Sequence, residues 1–318
     1  MSSSRIRQSK GVGIVLAAVL LWPNTPVRSY ERVQDQSPGR THTLTCGGER
    51  TLAKAIKSLK PGDTLLVSGD CHENLVIGQE VHRVTLDGQG TASLTGDSTA
   101  TTLTILGTGI TIRGFIISGG NPQAINVQDG GTAVIDGNTI QNADRNGIGV
   151  FRSSTADIVN NTIQDNGLAG ITVQSSSSAR IGWVGPPNNR VKAPNTIQGN
   201  GTQGIQVFRG SSAQIFANSI LNNLSHGVFV ERSAQAEIAG NLISGNGGDG
   251  IRGQKNSSVE IGTDDTGSTP AFDDDTNSGV NKQYGVRCML GGFVDGVLGA
   301  LTGGLGPKSV TEGCLDSL

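Results

Sequence analysis

The chain has 318 residues, a formal net charge of −2 at pH 7 and 16% charged residues. This mildly acidic balance argues against non-specific binding to nucleic acid or to anionic membranes, because both need a basic surface. Aromatic residues make up 3% of the chain, so the composition does not indicate a sugar cleft built on stacked rings.

Residues 1–29 have the pattern of a signal peptide, with basic residues, the apolar run Val12 to Trp22 and a polar stretch that ends at Ser29. The run is short for a membrane span, and an uncleaved anchor is the alternative. We therefore expect a secreted, periplasmic or cell-surface protein with no stable membrane span after cleavage. Loss of four basic residues and no acidic ones would change the net charge from −2 to −6.

Residues 30–45 lack apolar periodicity and are interpreted as a linker. Residues 46–100 are predicted to form an N-terminal cap and the first coils of a repeat structure. Within them, Thr51 to Lys60 is predicted to be a helix that Thr51 caps and Pro61 ends. Its apolar stripe would cover the open end of the first coil, so we interpret the helix as structural.

Residues 101–290 are predicted to be repeats, because one pattern recurs in them. Successive apolar-x-apolar triplets begin 23, 23, 34, 23, 23 and 35 residues apart. A second marker, Asn followed by Thr, Ser or Leu and then Ile, recurs at the same intervals. Two markers that share one interval predict a solenoid. The triplets begin at Ile125, Ile148, Ile171, Ile205, Val228, Ile251 and Val286, and the second marker begins at Asn138, Asn161, Asn195, Asn218 and Asn241.

One repeat contains three short apolar stretches separated by Gly, Asn and Ser, with no period near 3.6, so we predict three short strands per coil. The predicted fold class is all-β: a single-stranded right-handed parallel β-helix, a three-sided solenoid with ~23-residue coils and a short N-terminal capping helix. The marker asparagines are predicted to stack in a ladder at one corner, because Asn tolerates the left-handed backbone of a tight turn.

The coil Gly-Ile-x-Val, Ser-Ser-x-Ala-x-Ile, Asn-Thr-Ile and then a further Asn resembles the repeat of the pectin-lyase-like superfamily of right-handed β-helices. It is most similar to the secreted bacterial β-helix proteins of unassigned function, over roughly residues 46–318. The resemblance implies the fold. It leaves function open, because this scaffold carries lyases, hydrolases, epimerases, adhesins and non-catalytic modules.

Two repeats are longer than the others, and both insertions follow the second strand of their coil. The first is Trp183 to Pro194 and the second is Thr263 to Lys282. Clustered carboxylates are ligands that Ca²⁺ prefers, so a calcium site is one interpretation of the second loop, and a solvated acidic loop is the other. No other cofactor is indicated. The acidic residues of that loop are Asp264, Asp265, Asp273, Asp274 and Asp275.

Four cysteines lie in two pairs near the ends of the solenoid. The positions suggest disulfides Cys46–Cys71 and Cys288–Cys314 in an exported chain, although sequence alone does not fix the pairing. A buried free thiol at Cys288 is the alternative. Residues 291–318 depart from the repeat and are predicted to form a C-terminal cap.

A broken row of basic residues follows the triplets. Such a row beside aromatic side chains can hold an anionic glycan, and a row of solvated turn residues is the alternative. The predicted glycan-binding residues are Phe151, Arg152, Phe208, Arg209, Phe229, Glu231, Arg232 and Lys255.

A second cluster is predicted where His226, Asp249 and Tyr284 occupy one position on consecutive coils, with Arg252 near them. A His oriented by a carboxylate beside a Tyr can abstract a proton at C5 of a uronic acid while Arg neutralises the carboxylate. The characteristic motifs of polygalacturonases, alginate epimerases and pectate lyases are missing, so chance placement of polar residues is the alternative.

The sequence therefore favours an exported, monomeric, non-catalytic module that binds an extended acidic polysaccharide along its strand face, or a rigid spacer. The alternative hypothesis is a lyase, epimerase or hydrolase acting on uronate glycans, with the His226 cluster as its catalytic residues.

Overall fold

Three columns of short parallel strands, stacked coil upon coil, form the body of the protein in a computed structural model. The structure describes residues 39–48, 51–186, 189–262, 276–311 and 313–318. Each coil contributes one strand to each column, and strands within a column pair in parallel with the coils before and after. The predicted three-sided parallel β-helix is confirmed.

Column 1 contains the apolar-x-apolar triplets. Its strands, in spatial order, are β4 (Leu75–Ile77), β6 (Leu103–Ile105), β8 (Gln123–Val127), β11 (Asn146–Phe151), β14 (Ile171–Gln174), β19 (Ile205–Phe208), β22 (Val228–Glu231), β25 (Ile251–Gln254), β28 (Tyr284–Met289) and β31 (Gly306–Val310).

Column 2 follows column 1 across a tight turn. Its strands are β1 (Thr41–Thr45), β2 (Thr64–Ser68), the first parts of β5 (Thr85–Gly96) and β7 (Ile110–Gly119), then β9 (Thr132–Asp136), β12 (Thr155–Val159), β15 (Ser178–Ile181), β20 (Ser212–Phe216), β23 (Gln235–Ala239), β26 (Ser258–Ile261), β29 (Phe293–Gly296) and β32 (Leu315–Ser317).

Column 3 completes the coil. Its strands are β3 (Asp70–His72), the second parts of β5 and β7, then β10 (Thr139–Gln141), β13 (Thr162–Gln164), β18 (Thr196–Gln198), β21 (Ser219–Leu221), β24 (Leu242–Ser244), β27 (Ser278–Asn281) and β30 (Ala300–Gly303).

The core fills the space between the columns. Alternate residues of each strand point inward, as a period of two requires, so Ile148 and Val150 are fully buried. Ile148 is in register with Ile171, and Ile171 with Ile205. The predicted stacking of the triplets is therefore confirmed, and the insertion between the second pair does not disturb it.

The predicted asparagine ladder lies at the corner between columns 2 and 3. Each buried side chain donates from Nδ2 to Oδ1 of the next, at 2.9–3.1 Å, and that Oδ1 also accepts the backbone N–H of the preceding asparagine. Phe115 replaces Asn at the first position, and its N–H donates to Asn138. The ladder consists of Asn138, Asn161, Asn195, Asn218, Asn241 and, beyond the prediction, Asn277.

A second ladder, which the sequence analysis missed, lies at the corner between columns 3 and 1. Its side chains are also buried and joined by Nδ2 to Oδ1 bonds of 2.9 Å. These asparagines keep the same interval as the triplets, so the signal was present in the sequence. The ladder consists of Asn166, Asn200, Asn223, Asn246 and Asn281.

The capping helix α1 (Leu52–Ile56) is shorter than predicted and does not extend to Lys60. Thr51 caps it as expected, and Glu73 also accepts the N–H groups of Leu52 and Ala53, at 2.8 and 3.2 Å. The side chains of Leu52, Ala55 and Ile56 are buried in the core.

The first insertion forms an antiparallel hairpin of β16 (Trp183–Val184) and β17 (Val191–Lys192). Trp183 packs on Phe216, with ring centroids 6.1 Å apart. Much of the second insertion, including all five of its aspartates, lies outside the described residues. The prediction that this loop extends to Lys282 is wrong, because β27 resumes column 3 within it and Asn277 continues the ladder.

Both predicted disulfides are present. Cys46 bonds to Cys71 with their Cα atoms 5.0 Å apart, and Cys288 bonds to Cys314 at 6.1 Å. Strands β29, β30, β31 and β32 carry the columns through the segment predicted as a C-terminal cap. Within the described ranges, no helix has the length and apolar character to cross a bilayer.

We predict that Asn195→Ala destabilises the protein by at least about 2 kcal/mol, because buried amide groups on both neighbouring coils lose their partners. Chemical unfolding monitored by circular dichroism measures the change. The exposed Asn189→Ala, on the hairpin, should change the free energy of unfolding by about 0.5 kcal/mol or less. Equal effects of the two substitutions would show that the ladder contributes little.

Candidate functional site

The predicted His226 cluster forms on the outer face of column 1, near its C-terminal end. His226 precedes β22 by two residues, Asp249 precedes β25 by two, and Tyr284 opens β28 on the next coil. Arg252 is in register with Arg287 on the following coil. The parallel register therefore brings the four predicted residues together and adds Arg287 to them.

Both ring nitrogens of His226 have close neighbours. The backbone N–H of Asp249 donates to Nδ1 at 2.9 Å, and Nη1 of Arg252 lies 3.1 Å from Nε2. Phe229 packs against the ring with centroids 5.4 Å apart. A neutral imidazole has one acceptor nitrogen, so it can accept from only one of these two donors.

The carboxylate of Asp249 is completely buried, at 0% exposure. Its Oδ1 accepts the N–H of Tyr284 at 3.2 Å, and its Oδ2 lies 3.4 Å from Nδ1 of His226. No described residue makes a hydrogen bond to Oδ2. A buried acceptor without a donor lowers the stability of the folded protein. The rest of the fold therefore has to offset this cost of burying Asp249.

Two guanidinium groups, each lying over an aromatic ring, form the outer part of the site. Arg252 lies over the ring of Phe229, with Cζ 5.8 Å from the centroid, and donates from Nη2 to Sδ of Met289 at 3.0 Å. Arg287 lies over the ring of Tyr284 at 5.4 Å. The buried Nε–H of each arginine has no acceptor among the described residues.

The environment shifts the protonation of these groups. Burial, followed by the charges of Arg252 and Arg287, lowers the pKa of His226 to about 4. Burial also raises the pKa of Asp249, and the N–H of Tyr284 and the two arginines offset this only in part. His226 is therefore neutral at pH 7 and a weak base.

The arrangement is better suited to binding an anion than to proton abstraction. Two guanidinium groups one coil apart place two positive charges side by side, and Arg pairs well with planar carboxylates. In contrast, neither nitrogen of His226 is free to take a proton from a substrate in this geometry. Tyr284 is half-buried, and the guanidinium group of Arg287 lies over its ring.

The predicted basic row lies apart from this cluster, in the turn that joins columns 1 and 2. Arg152, Arg209, Arg232 and Lys255 all have positive φ, between 54° and 58°. Arg152 pairs with Asp129 at 3.0 Å, and Arg209 stacks on Phe208 at 5.1 Å. Phe151 is buried.

Glu231 neutralises much of the remaining basic row. It accepts from Lys255 at 3.0 Å and from Gln254 at 3.2 Å, and Arg232 lies 3.7 Å away. Burial raises the pKa of Glu231, but these donors outweigh it and the pKa is lowered. Arg232 and Lys255 therefore have an acidic partner, Glu231, within the protein.

Arg287 lies inside the triplet that begins at Val286, but neither Arg287 nor Met289 belongs to the site predicted from the sequence. The signal was available, because Arg252 and Arg287 occupy the same triplet position on consecutive coils. The proposed calcium ligands lie outside the described residues. Within those residues, no group of three or more His, Cys, Asp or Glu side chains could hold a metal ion.

Comparison with known proteins agrees with the fold. The sequence profile of the family described as "Right handed beta helix region" matches residues 66–193 and 184–266. No sequence among the curated proteins matches the chain.

Solved structures similar to this chain include three at 11–17% identity, and the likeness of fold is drawn from the first of them. The pectate lyase Pel9A has a TM-score of 0.52 and 11% identity, over 89% of this chain and 79% of its own. An alginate lyase from Paenibacillus sp. str. FPU-7 has 0.49 and 17%, over 87% and 99%. The A-module of mannuronan C-5 epimerase AlgE4 from Azotobacter vinelandii has 0.47 and 17%, over 88% and 90%.

We predict that lowering the pH from 6.5 to about 4 destabilises the protein through His226. In this window the unfolded chain binds a proton that the folded chain does not, because the folded pKa is depressed. The contribution of His226 to the free energy of unfolding should fall by at most about 3 kcal/mol.

Unfolding titrations of the parent protein and of His226→Gln at several pH values measure this contribution. Asp249, whose folded pKa is raised, contributes with the opposite sign, so the comparison is repeated in an Asp249→Asn background. Identical pH profiles with and without the His226→Gln substitution in that background would contradict the prediction.

Proposed function

The chain belongs to the right-handed β-helix family, and from that premise we propose that it is a non-catalytic module that binds an extended acidic polysaccharide along column 1. The observation that carries the proposal is the register of Arg252 with Arg287, which places two guanidinium groups on consecutive coils of column 1. A carboxylate beside these two positive charges would form charge-assisted hydrogen bonds with them.

The geometry of the column supports an extended ligand rather than a compact one. Successive coils are about 4.8 Å apart, so equivalent outward side chains repeat at that interval along the axis. Upstream of the arginines, Gln206 and Phe229 occupy the same position of the strand in strict register. A polymer lying along the axis would meet Gln206 first and the arginine pair at the C-terminal end.

An exported location fits this function. The two disulfides are of the kind that persists in oxidising compartments, and each ties together segments near one end of the solenoid. We propose that the protein acts in the periplasm, at the cell surface or outside the cell, where acidic polysaccharides are accessible to it.

We predict that Arg252→Ala and Arg287→Ala each weaken binding to polygalacturonate about tenfold or more, because each removes a charge-assisted contact of about 1.5–3 kcal/mol. Isothermal titration with the full chain measures the affinity, which should fall as salt is added. Arg113→Ala on column 2 is the matched control and should bind like the parent, since Arg113 is paired with Asp87. Equal losses in all three variants, or no binding by the parent, would refute the proposal.

A second candidate function is elimination or epimerisation at uronate residues, favoured by the convergence of His226, Asp249, Tyr284 and Arg252. Two observations argue against it: both ring nitrogens of His226 already face protein donors, and the pKa of His226 is low. We therefore predict that the parent protein forms no unsaturated uronate ends, measured by ultraviolet absorbance, and inverts no C5 centres, measured by NMR. Turnover by the parent that His226→Ala abolishes would establish the enzyme instead.

A further inference from the structure

The outer face of column 3 carries no charged residue from β5 to β30 in the described strands. Its outward residues are Ser, Thr, Gln, Ala and a few aliphatic side chains. Column 2 provides an internal comparison, because its outward positions include charged residues such as Asp157, Arg180 and Glu237 on most coils over the same length. Exposed strand faces normally carry such charges for solubility, so their absence along column 3 from β5 to β30 requires an explanation.

This uncharged face is also periodic. Thr139, Thr162 and Thr196 are in register, and Ser219 continues their row. Beside them the glutamines form a row in which Gln164 donates to Gln141 at 3.2 Å and Gln198 donates to Gln164 at 3.1 Å. The face therefore presents hydroxyl and amide groups at an interval of about 4.8 Å.

Apolar side chains are exposed on the same face. Ile116 is 38% exposed, Leu242 43% and Val280 58%. They lie towards the two ends of the hydroxyl and amide rows. The face therefore combines contacts of two kinds, apolar and hydrogen-bonding, and neither kind requires a charged partner.

We propose that the column 3 face lies against the surface of a neutral, hydroxyl-rich polysaccharide. Charge complementarity excludes an acidic polymer here, because no basic group faces outward from the described strands to receive it. The periodic rows suit a partner with a repeating surface, and hydroxyl groups match both the threonine and the glutamine side chains as donors and acceptors.

A second copy of the chain is a poorer occupant. The face extends over about 38 Å and is about 10 Å wide, which gives roughly 400 Å² for each partner, against about 800 Å² in a standard protein interface. An insoluble polymer offers a high concentration of equivalent sites, so it can retain the chain by mass action at an affinity too weak for a stable dimer. Each hydrogen bond contributes little in water, so affinity depends on many of them forming together.

The test is depletion of the full chain from solution by microcrystalline cellulose and by chitin powder. Thr162→Lys places a charge in the centre of the face and should lower the retained fraction at least tenfold on whichever powder the parent binds. Thr155→Lys is the matched control, because it adds the same charge to an exposed position of column 2 on the same coil and should be retained like the parent. Circular dichroism and thermal melts confirm that both variants are folded.

The inference does not depend on the function proposed for column 1. Arg252→Ala, which should weaken polygalacturonate binding, should leave retention on the neutral powders unchanged, so the two proposals can fail separately. Failure of the parent to bind either powder, or equal retention of the two lysine variants, would overturn the inference. A concentration-dependent dimer that Thr162→Lys abolishes would overturn it as well and would assign the face to a second copy.

Discussion

Everything else in the protein depends on the hydrogen-bonded stacking of equivalent residues on successive coils. Each buried asparagine joins its own coil to the next through its side chain and through the N–H that it accepts. These bonds fix the register at two corners, and the inward aliphatic side chains fix it as well, because a slip by one residue would turn them outward. Functional side chains follow the same register, which is why Arg252 and Arg287 stand one above the other.

The architecture could be predicted from the sequence because the repeat is strict. Triplets and asparagines separated by one interval have few other structural explanations, and the register Ile148–Ile171–Ile205 follows from it. The helix was overestimated because its apolar stripe continues to Leu59, although the chain turns after Ile56. The second ladder was missed because its asparagines follow no distinctive neighbour and look like ordinary turn residues.

The site could be predicted in part. Its location follows from the positions of His226, Asp249 and Tyr284 in the repeat. The protonation of its groups does not follow from the sequence, because burial and the direction of each hydrogen bond decide whether His226 can act as a base. For the basic row the sequence is misleading, because Arg152 and Lys255 look like charges without a partner. Only the folded chain brings Asp129 and Glu231 beside them.

The hairpin of β16 and β17 branches from the coil after Ile181, and the chain rejoins the coil at Asn195. Asn218 fixes the point of departure by donating to the carbonyl of Ile181, and Asn195 fixes the point of return. Trp183 packs on Phe216 and the carbonyl of Ala193 accepts the N–H of Asn160, so the neighbouring coils constrain the base of the hairpin but not the number of residues at its tip. This corner can accept foreign peptides of varied length without a change of pitch, which makes it a natural place to display an epitope on a rigid rod.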